Sequence, residues 1–399
     1  MRPVRKRRWA LRLVVLFGVI SLLADATYEG ARALAGPFLA TLGATASAIG
    51  AISGAGELLG YLFRLLSGYW ADRSRRYWLL MGTGYAINLG AVPLLALVGH
   101  WQWAAALLLL ERIGKGLRTP ARDLILSYAS APVGRGWAFG LHEALDQMGA
   151  VLGPLLVAAI LGARENYALA FAALAVPATL ALAVLGYARL QYPRPELLES
   201  AEQQATGRPA GRYPAAFGWY LAAAAALAIG YADFPLIGYH AERLGLLSAR
   251  SVAALYALAM AVDAASALCF GRWFDRSGLW ALMGALLLSA ASAPFAFAEH
   301  PEAVVAGAIL WGIGMGAQES VLRAEIARLI APQQRGRAYG IFNACFGAAW
   351  FGGSLVMGAL YDRALLGAVV AWSVGFQLLA LLLVALTIRK AAPSASERP

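Results

Sequence analysis

The sequence predicts an all-α membrane protein in which twelve transmembrane helices form two pseudo-symmetric six-helix bundles. Three observations lead to this fold class. The 399 residues are 60% hydrophobic and only 14% charged, with a mean hydropathy of +0.63, whereas soluble domains carry about 25% charged residues. The apolar residues form twelve segments long enough to cross a bilayer. Finally, short motifs of the first half of the chain recur in the second half.

Each of the twelve apolar segments has about the 20 residues that a membrane-crossing helix needs, or more. Most links between them are short, but the link between the sixth and seventh segments is polar and rich in Pro, Gly and Glu, which is typical of a linker. We therefore predict an N-terminal six-helix bundle (1–190), a cytoplasmic linker (191–213), a C-terminal six-helix bundle (214–390) and a cytoplasmic tail (391–399). The predicted spans are residues 11–38, 47–70, 78–98, 103–128, 137–161, 167–190, 217–239, 252–274, 279–297, 303–329, 338–360 and 365–388.

Basic residues are distributed unequally between the two sets of links. With both termini in the cytoplasm, the outer links keep only Arg164, Arg243, Arg250 and Arg363, and the inner side takes nearly all the others. This positive-inside bias predicts a multi-pass protein of a bacterial inner (plasma) membrane with both termini cytoplasmic. The same bias accounts for the net charge of +11, so we expect the lipid bilayer, and no nucleic acid, as a partner.

Two pairs of motifs reveal an internal repeat. GYWADRS at 68–74 matches GRWFDRS at 271–277, and RGWAFG at 135–140 matches RGRAYG at 335–340. The offset is 203 residues for the first pair (68 to 271) and 200 for the second (135 to 335). Two matches at nearly one offset indicate duplicated halves. Parallel six-helix repeats place a substrate site near the midplane of the membrane, between the halves.

These motifs resemble those of the major facilitator superfamily, and the resemblance covers nearly the whole chain. GYWADRSRR is similar to that family's loop motif, although Arg75 stands where the family has glycine. ERIGKG (111–116) is similar to the fourth-helix motif Arg-x-x-Gln-Gly, with Lys115 in place of glutamine. GAVLGP (149–154) and GPFLATLG (36–43) are similar to motifs of antiporters and drug exporters. The resemblance implies the major facilitator fold, a small-molecule substrate and alternating access.

Charged residues inside the spans are the candidates for function, since each costs roughly 2.5–3.5 kcal/mol at mid-membrane. Asp25 and Glu29 share a helix face, Arg112 falls near mid-bilayer, and Lys115 lies one turn deeper. The resemblance implies that the first, fourth, seventh and tenth helices line the central cavity. We predict that the substrate and proton-coupling residues are Asp25, Glu29, Arg112, Lys115, Glu143, Asp146, Asp233 and Glu319.

Other polar and small residues receive structural interpretations. Glu57 and Arg64, seven residues apart, are expected to form a buried pair on one helix face. A close-packing motif comprises Gly149, Gly153 and Pro154. Six residues of the repeated loop motif are predicted to form a conformational latch on the cytoplasmic side, namely Gly68, Asp72, Arg73, Gly271, Asp275 and Arg276.

The function predicted first is a secondary active transporter, specifically a monomeric, proton-coupled exporter of small organic compounds. One alternative is a transporter of an anionic metabolite bound by Arg112 and Lys115. Another is a metal-cation exporter with Asp25, Glu29, His142 and Asp146 as ligands. A non-transporting membrane sensor on the same scaffold is the remaining class. The sequence contains no Gly-x-x-x-x-Gly-Lys-Ser/Thr loop and no evident nucleophile–base set, so neither enzyme activity nor a cofactor is expected.

The topology is testable by labelling. A cysteine introduced at position 2 or 399 should not react with an impermeant maleimide added to intact cells, and it should react once the membrane is permeabilised. Efficient labelling of intact cells at either position would overturn the predicted orientation.

Overall fold

The computed structural model describes residues 3–44, 46–164, 166–199, 213–247 and 249–391. Most of the predicted linker (200–212) and nearly all of the predicted tail (392–399) lie outside the described residues. The bundle, linker and tail boundaries drawn from the sequence stay predictions.

The described residues are helical almost throughout and include no β-strand. The first six predicted spans correspond to α1 (Pro3–Thr41), α2 (Ala46–Ser74), α3 (Tyr77–Leu94), α4 (Trp101–Ser130), α5 (Arg135–Arg164) and the pair α6 (Tyr167–Ala173) and α7 (Ala175–Gln191). The last six correspond to the pair α8 (Ala215–Gly230) and α9 (Phe234–Arg243), α10 (Ala249–Ser277), the pair α11 (Trp280–Ala290) and α12 (Ser292–Ala296), α13 (Pro301–Leu329), α14 (Arg335–Asp362) and α15 (Leu366–Ala391).

Three predicted spans are broken into two helices, which corrects the expectation of continuous segments. Each break lies close to the position four residues before a proline. α6 ends at Ala173 before Pro177, α8 ends at Gly230 before Pro235, and α11 ends at Ala290 before Pro294. A proline has no N–H to donate, and its ring clashes with the carbonyl four residues earlier. The break after α8 places Asp233 on non-helical backbone immediately before α9.

Nine helical segments of the described chain are long and apolar enough to cross a membrane, and residues 280–296 form a shorter apolar one. The predicted spans in α2 and α4 are outside this set. These two helices carry several of the charges described below. The protein is a multi-pass integral membrane protein with the twelve-helix fold that the sequence predicts.

The chain divides into two compact units. Unit 1 comprises residues 1–133, 141–204 and 332–343, and within it α4 packs against α1, α2 and α3. Unit 2 comprises residues 134–140, 205–331 and 344–399, and within it α10 packs against α13 and α8 against α15. Each unit therefore includes a short segment that begins a helix, residues 332–343 in unit 1 and residues 134–140 in unit 2.

Small residues allow α5 to lie directly on α1 in unit 1. A Cβ atom added to Gly149 would lie 2.1 Å from the carbonyl oxygen of Leu22, and one added to Gly153 would lie 2.3 Å from that of Ala26. Pro154 lies inside the same helix. Glycine removes the side chain that would otherwise keep the two backbones apart.

This contact predicts a large effect of bulk at Gly153. Gly153→Leu should lower the free energy of unfolding of the purified protein by about 1–3 kcal/mol, because overpacking forces α1 and α5 apart. Its melting temperature should fall accordingly. The matched control is Gly186→Leu on α7, where nothing lies within 4 Å of the added Cβ. Equal melting temperatures for the two variants in detergent would contradict the close-packing interpretation.

Candidate functional site

A chain of ion pairs joins α1, α2 and α4 in unit 1. Arg32 of α1 lies 2.8 Å from Glu57 of α2, and Arg112 of α4 lies 3.1 Å from the same carboxylate oxygen. Arg112 also lies 3.3 Å from Glu111, and Arg32 lies 3.3 Å from Glu29. Three helices are thus linked by charges that would be costly in a bilayer if each stood alone.

Helix geometry explains why these side chains meet. On α1, Glu29 and Arg32 are three residues apart and share a face. On α4, Arg112 and Lys115 are also three apart. The two helices α2 and α4 approach closely because Gly116 has no side chain: a Cβ there would lie 2.6 Å from the carbonyl oxygen of Gly60.

A cavity of about 250 Å³ lies beside this chain of charges. One part of its wall is polar, and the other is formed by small and aliphatic side chains. The polar lining comes from Tyr28, Arg32, Glu111 and Arg112, and the remainder comes from Ala31, Ala35, Gly36, Leu39, Ile52, Gly56 and Leu108.

Asp25 lies apart from the ion pairs. Its side chain is 4% exposed and accepts a hydrogen bond from the hydroxyl of Tyr28. No lysine or arginine nitrogen of the described residues lies within 4 Å of its carboxylate. The structure therefore places a buried carboxyl group without an ion-pair partner one turn from the chain of charges.

Tyr28 connects Asp25 to two cations. The ammonium of Lys115 lies 3.8 Å from the centre of the Tyr28 ring and also 3.8 Å from Glu29. The guanidinium of Arg118 lies 5.6 Å from the same ring and 4.3 Å from that of Tyr85. Arg118 is completely buried, and its three guanidinium nitrogens have no hydrogen-bond acceptor among the described residues. Aromatic faces attract such cations.

Of the two predicted acids of α5, which also lie in unit 1, Glu143 is buried and Asp146 is half-buried. The hydroxyl of Ser21 donates a hydrogen bond to Asp146. Glu143 is 1% exposed and accepts a hydrogen bond of 3.2 Å from the amide of Gln147. His142 is fully buried. Among the residues that the structure describes, no three His, Cys, Asp or Glu side chains are placed to share a metal ion.

The predicted acids of the second half lie in unit 2. Asp233 is half-buried and accepts a hydrogen bond from the indole N–H of Trp350. Tyr231 stacks against both Trp350 and Trp311 at centroid distances of 5.5 and 5.8 Å. Glu319 is a half-buried residue of α13.

The repeated loop motifs make equivalent contacts in the two units. Asp72 accepts hydrogen bonds of 2.8 and 2.7 Å from the backbone N–H groups of Gly336 and Arg337, at the start of α14. The first N–H groups of a helix have no partner within the helix. A carboxylate at this end also interacts favourably with the positive end of the helix dipole.

In unit 2, Asp275 accepts bonds of 2.8 and 2.9 Å from Gly136 and Trp137, at the start of α5. The glycines of the motif make the two approaches possible, since a Cβ on Gly68 would lie 2.5 Å from the carbonyl oxygen of Gly336 and one on Gly136 would lie 2.1 Å from that of Gly271. Arg73 and Arg276 are exposed.

One expectation about partners, the Glu57–Arg64 pair, differs from the structure. Glu57 pairs with Arg32 and Arg112 rather than with Arg64, because α1 and α4 bring their arginines closer to it. Arg64 instead lies over the ring of Tyr61, at 5.2 Å.

Several residues of the cluster were missed by the sequence reasoning. Arg32 could have been found, because it is a charge inside the first apolar segment and lies three residues from Glu29. Arg118 gives the same signal, as a charge inside the fourth predicted span and three residues from Lys115. Tyr28 gives no comparable signal, since only the packing of α1 against α4 brings it to Arg118.

Comparison with known proteins gives the family of the chain. The family model described as Major Facilitator Superfamily matches residues 15–297 and 219–399. An uncharacterised protein of Mycobacterium bovis is 42% identical over 390 residues, which cover 96% of this chain and 95% of that protein. An uncharacterised transporter of this family from Methanocaldococcus jannaschii is 34% identical over 143 residues, 36% of each chain.

Solved structures share the fold at low sequence identity. A bacterial homologue of the iron transporter ferroportin in an outward-facing state has a TM-score of 0.75 at 14% identity, with 94% of this chain and 99% of that chain covered. The human organic anion transporter MFSD10 has a TM-score of 0.72 at 18% identity with the same coverage. The proton:xylose symporter XylE has a TM-score of 0.65 at 14% identity, with 96% of both chains covered.

The contact at Asp72 should depend on pH. Asp72 lies beyond the end of its predicted span, and burial raises its pKa to about 7 against the opposing effect of the Gly336 and Arg337 N–H groups. An exposed aspartate has a pKa of about 3.9. At a pH between these two pKa values, the docked carboxyl group of Asp72 holds a proton that the undocked group has lost. Docking is therefore favoured as the pH falls, and this gain disappears as the pH rises through 7.

Hydrogen–deuterium exchange of the Gly336 and Arg337 amides measures this effect. After correction for intrinsic exchange, protection should be about ten-fold higher at pH 5.5 than at pH 8, and Asp72→Asn should abolish the difference. The Gly136 and Trp137 amides, which bond to Asp275, are the internal control in Asp72→Asn and should be unaffected. Protection at 336 and 337 that rises with pH would show that the ionised carboxylate is the docked form.

Proposed function

The chain belongs to the Major Facilitator Superfamily, a family of membrane transporters, and from that premise we propose that it is a proton-coupled exporter of small organic compounds. It works by alternating access as a monomer in a bacterial inner membrane, with both termini in the cytoplasm. The proton site is in unit 1, and Asp25 is its first candidate.

The single observation that supports this proposal is the environment of Asp25. The carboxyl group is buried, accepts one hydrogen bond from Tyr28, and has no cation within 4 Å. Burying an unpaired carboxylate costs far more than burying the neutral acid, because the charge loses its hydration. In this conformation, proton binding removes that cost. In another conformation, a nearby cation could remove it instead.

Two cations are close enough to play that part. Lys115 and Arg118 both lie against the ring whose hydroxyl bonds to Asp25. A small shift of α4 relative to α1 would bring either cation to the carboxylate and release the proton. A shift in the opposite direction would leave Asp25 to bind a proton again. Coupling follows if the two positions of α4 belong to the two openings of the transporter.

The remaining predicted residues take supporting roles in this proposal. Asp72 and Asp275 are latches that hold helix starts in place until the transporter changes conformation, and Gly149, Gly153 and Pro154 allow α5 and α1 to slide at close range. The direction of transport is proposed from the similarity of residues 36–43 and 149–154 to exporter motifs.

The alternative of an anionic metabolite has partial support. Arg112 lines the cavity, as that alternative requires, but Lys115 points to Glu29 and Tyr28. An anion bound at this cavity would therefore meet Arg112 and Arg32 rather than Arg112 and Lys115.

Proton release tests the coupling site directly. A substrate is first identified by a thermal-shift screen, and the protons released on its binding are then measured for wild type and for Asp25→Asn. The variant should lose proton release and proton-driven accumulation in proteoliposomes while keeping passive exchange, because its side chain mimics the protonated acid.

Glu29→Gln and Asp146→Asn are the matched variants, in that order of expected effect. Wild-type proton release from all three variants would place the coupling site elsewhere and would bring Glu143, Asp233 and Glu319 forward as candidates.

A further inference from the structure

The cavity beside α1, α2 and α4 has the lining of a site for an amphipathic molecule. Its polar lining includes Arg32, Arg112 and Glu111, and its apolar lining includes Ala31, Leu39 and Leu108. Its volume of about 250 Å³ is near the lower limit of small-molecule sites, which begin at about 300 Å³. A ligand of this shape has one charged group and a compact apolar body.

The two arginines converge on one acceptor. A guanidinium nitrogen of Arg32 and one of Arg112 lie 2.8 and 3.1 Å from the same oxygen of Glu57. Planar guanidinium groups arranged in this way match a carboxylate in both charge and geometry. Glu111 holds Arg112 in place from the other side at 3.3 Å, and Asn88 in turn donates a 2.7 Å bond to Glu111.

Glu57 is the most easily displaced acid of the cluster. Its side chain is 39% exposed, compared with 22% for Glu29 and 8% for Glu111. It is therefore the least enclosed of these three carboxylates.

Glu57 and Arg64 also line a shared gap of about 10 Å³. This gap, which Gly60, Tyr61, Arg112 and Lys115 line as well, would have to widen to hold a carboxylate. The Nε of Arg64 is buried and has no hydrogen-bond acceptor among the described residues. A carboxylate that leaves Arg32 and Arg112 would therefore find an unsatisfied donor on the same face of its own helix.

We propose that the site takes a small monocarboxylate with an apolar body, and that Glu57 occupies the place of the ligand carboxylate when the site is empty. The inference rests on the proposed function and names its substrate class. The ligand carboxylate replaces Glu57 between Arg32 and Arg112, and Glu57 moves towards Arg64. One carboxylate replaces another, so the charge around the two arginines is unchanged. A cation in the same place would face two guanidinium groups.

The test is calorimetric binding of benzoate to the purified full-length protein in detergent at fixed pH. Benzoate should bind to wild type, whereas benzamide and benzylamine, which share its ring, should not. Glu57→Gln should bind benzoate about ten-fold more tightly, because the neutral amide competes less well for the arginines. Arg32→Gln and Arg112→Gln should each weaken binding about ten-fold or more.

Three further variants separate recognition from folding. Ala35→Leu, which adds bulk at the apolar wall, should weaken benzoate binding, and Gly186→Leu, which adds the same bulk outside the site, should not. Arg243→Gln, in unit 2, is the control for loss of an arginine. Size-exclusion profiles and melting temperatures establish that each variant is folded.

Three results would overturn the inference: no benzoate binding to wild type and Glu57→Gln, weaker benzoate binding in Glu57→Gln, or binding of benzylamine that Glu57→Gln abolishes. None of these depends on proton release. If benzoate does not bind while Asp25→Asn still abolishes coupling, the carboxylate class is rejected and the proposed function stands. If benzoate binds while all three acid variants release protons like wild type, the proposed coupling site is rejected and the carboxylate class stands.

Discussion

The cost of charge in the membrane is the constraint on which the rest of unit 1 depends. Helices α1, α2 and α4 together bring at least six charged side chains into one cluster, and each is compensated by a neighbour on another helix or an adjacent turn. That compensation requires the helices to lie close together, which Gly116 permits at the α2–α4 contact. The small residues therefore allow the close helix packing that the ion pairs require.

The sequence predicted the fold well, because the signals for it are local. Apolar length predicts a spanning helix, and the repeated motifs predict two related halves. The three helix breaks also follow from a local signal, since each lies just before a proline, at position 177, 235 or 294. They were missed because a broken span is as apolar as a continuous one, so hydropathy alone does not separate the two.

The site was predicted less completely, since its pairings are not local. Depth and spacing drew attention to Asp25, Glu29, Arg112 and Lys115, which stay predictions, but they paired Glu57 with Arg64 on its own helix. The structure pairs Glu57 with arginines of two other helices. A helical wheel ranks partners within a helix, whereas the rotation of one helix against another decides partners between helices, and a single sequence carries little information about that rotation.

Exposure divides the charged groups of unit 1 into those that can exchange partners and those that cannot leave. The Arg32–Glu57 pair is 49% and 39% exposed, so neither side chain is enclosed by the protein. Asp25 and Arg118 are 4% and 0% exposed, and neither can be rehydrated without a movement of the helices themselves. In the proposed mechanism, exchange at the exposed end serves recognition of a solute, and the buried end serves coupling, because only a change of conformation can alter it. Tyr28 belongs to both, since its hydroxyl bonds to Asp25 while it also lines the cavity. A solute that fills the cavity therefore touches the same side chain that fixes the environment of the buried acid.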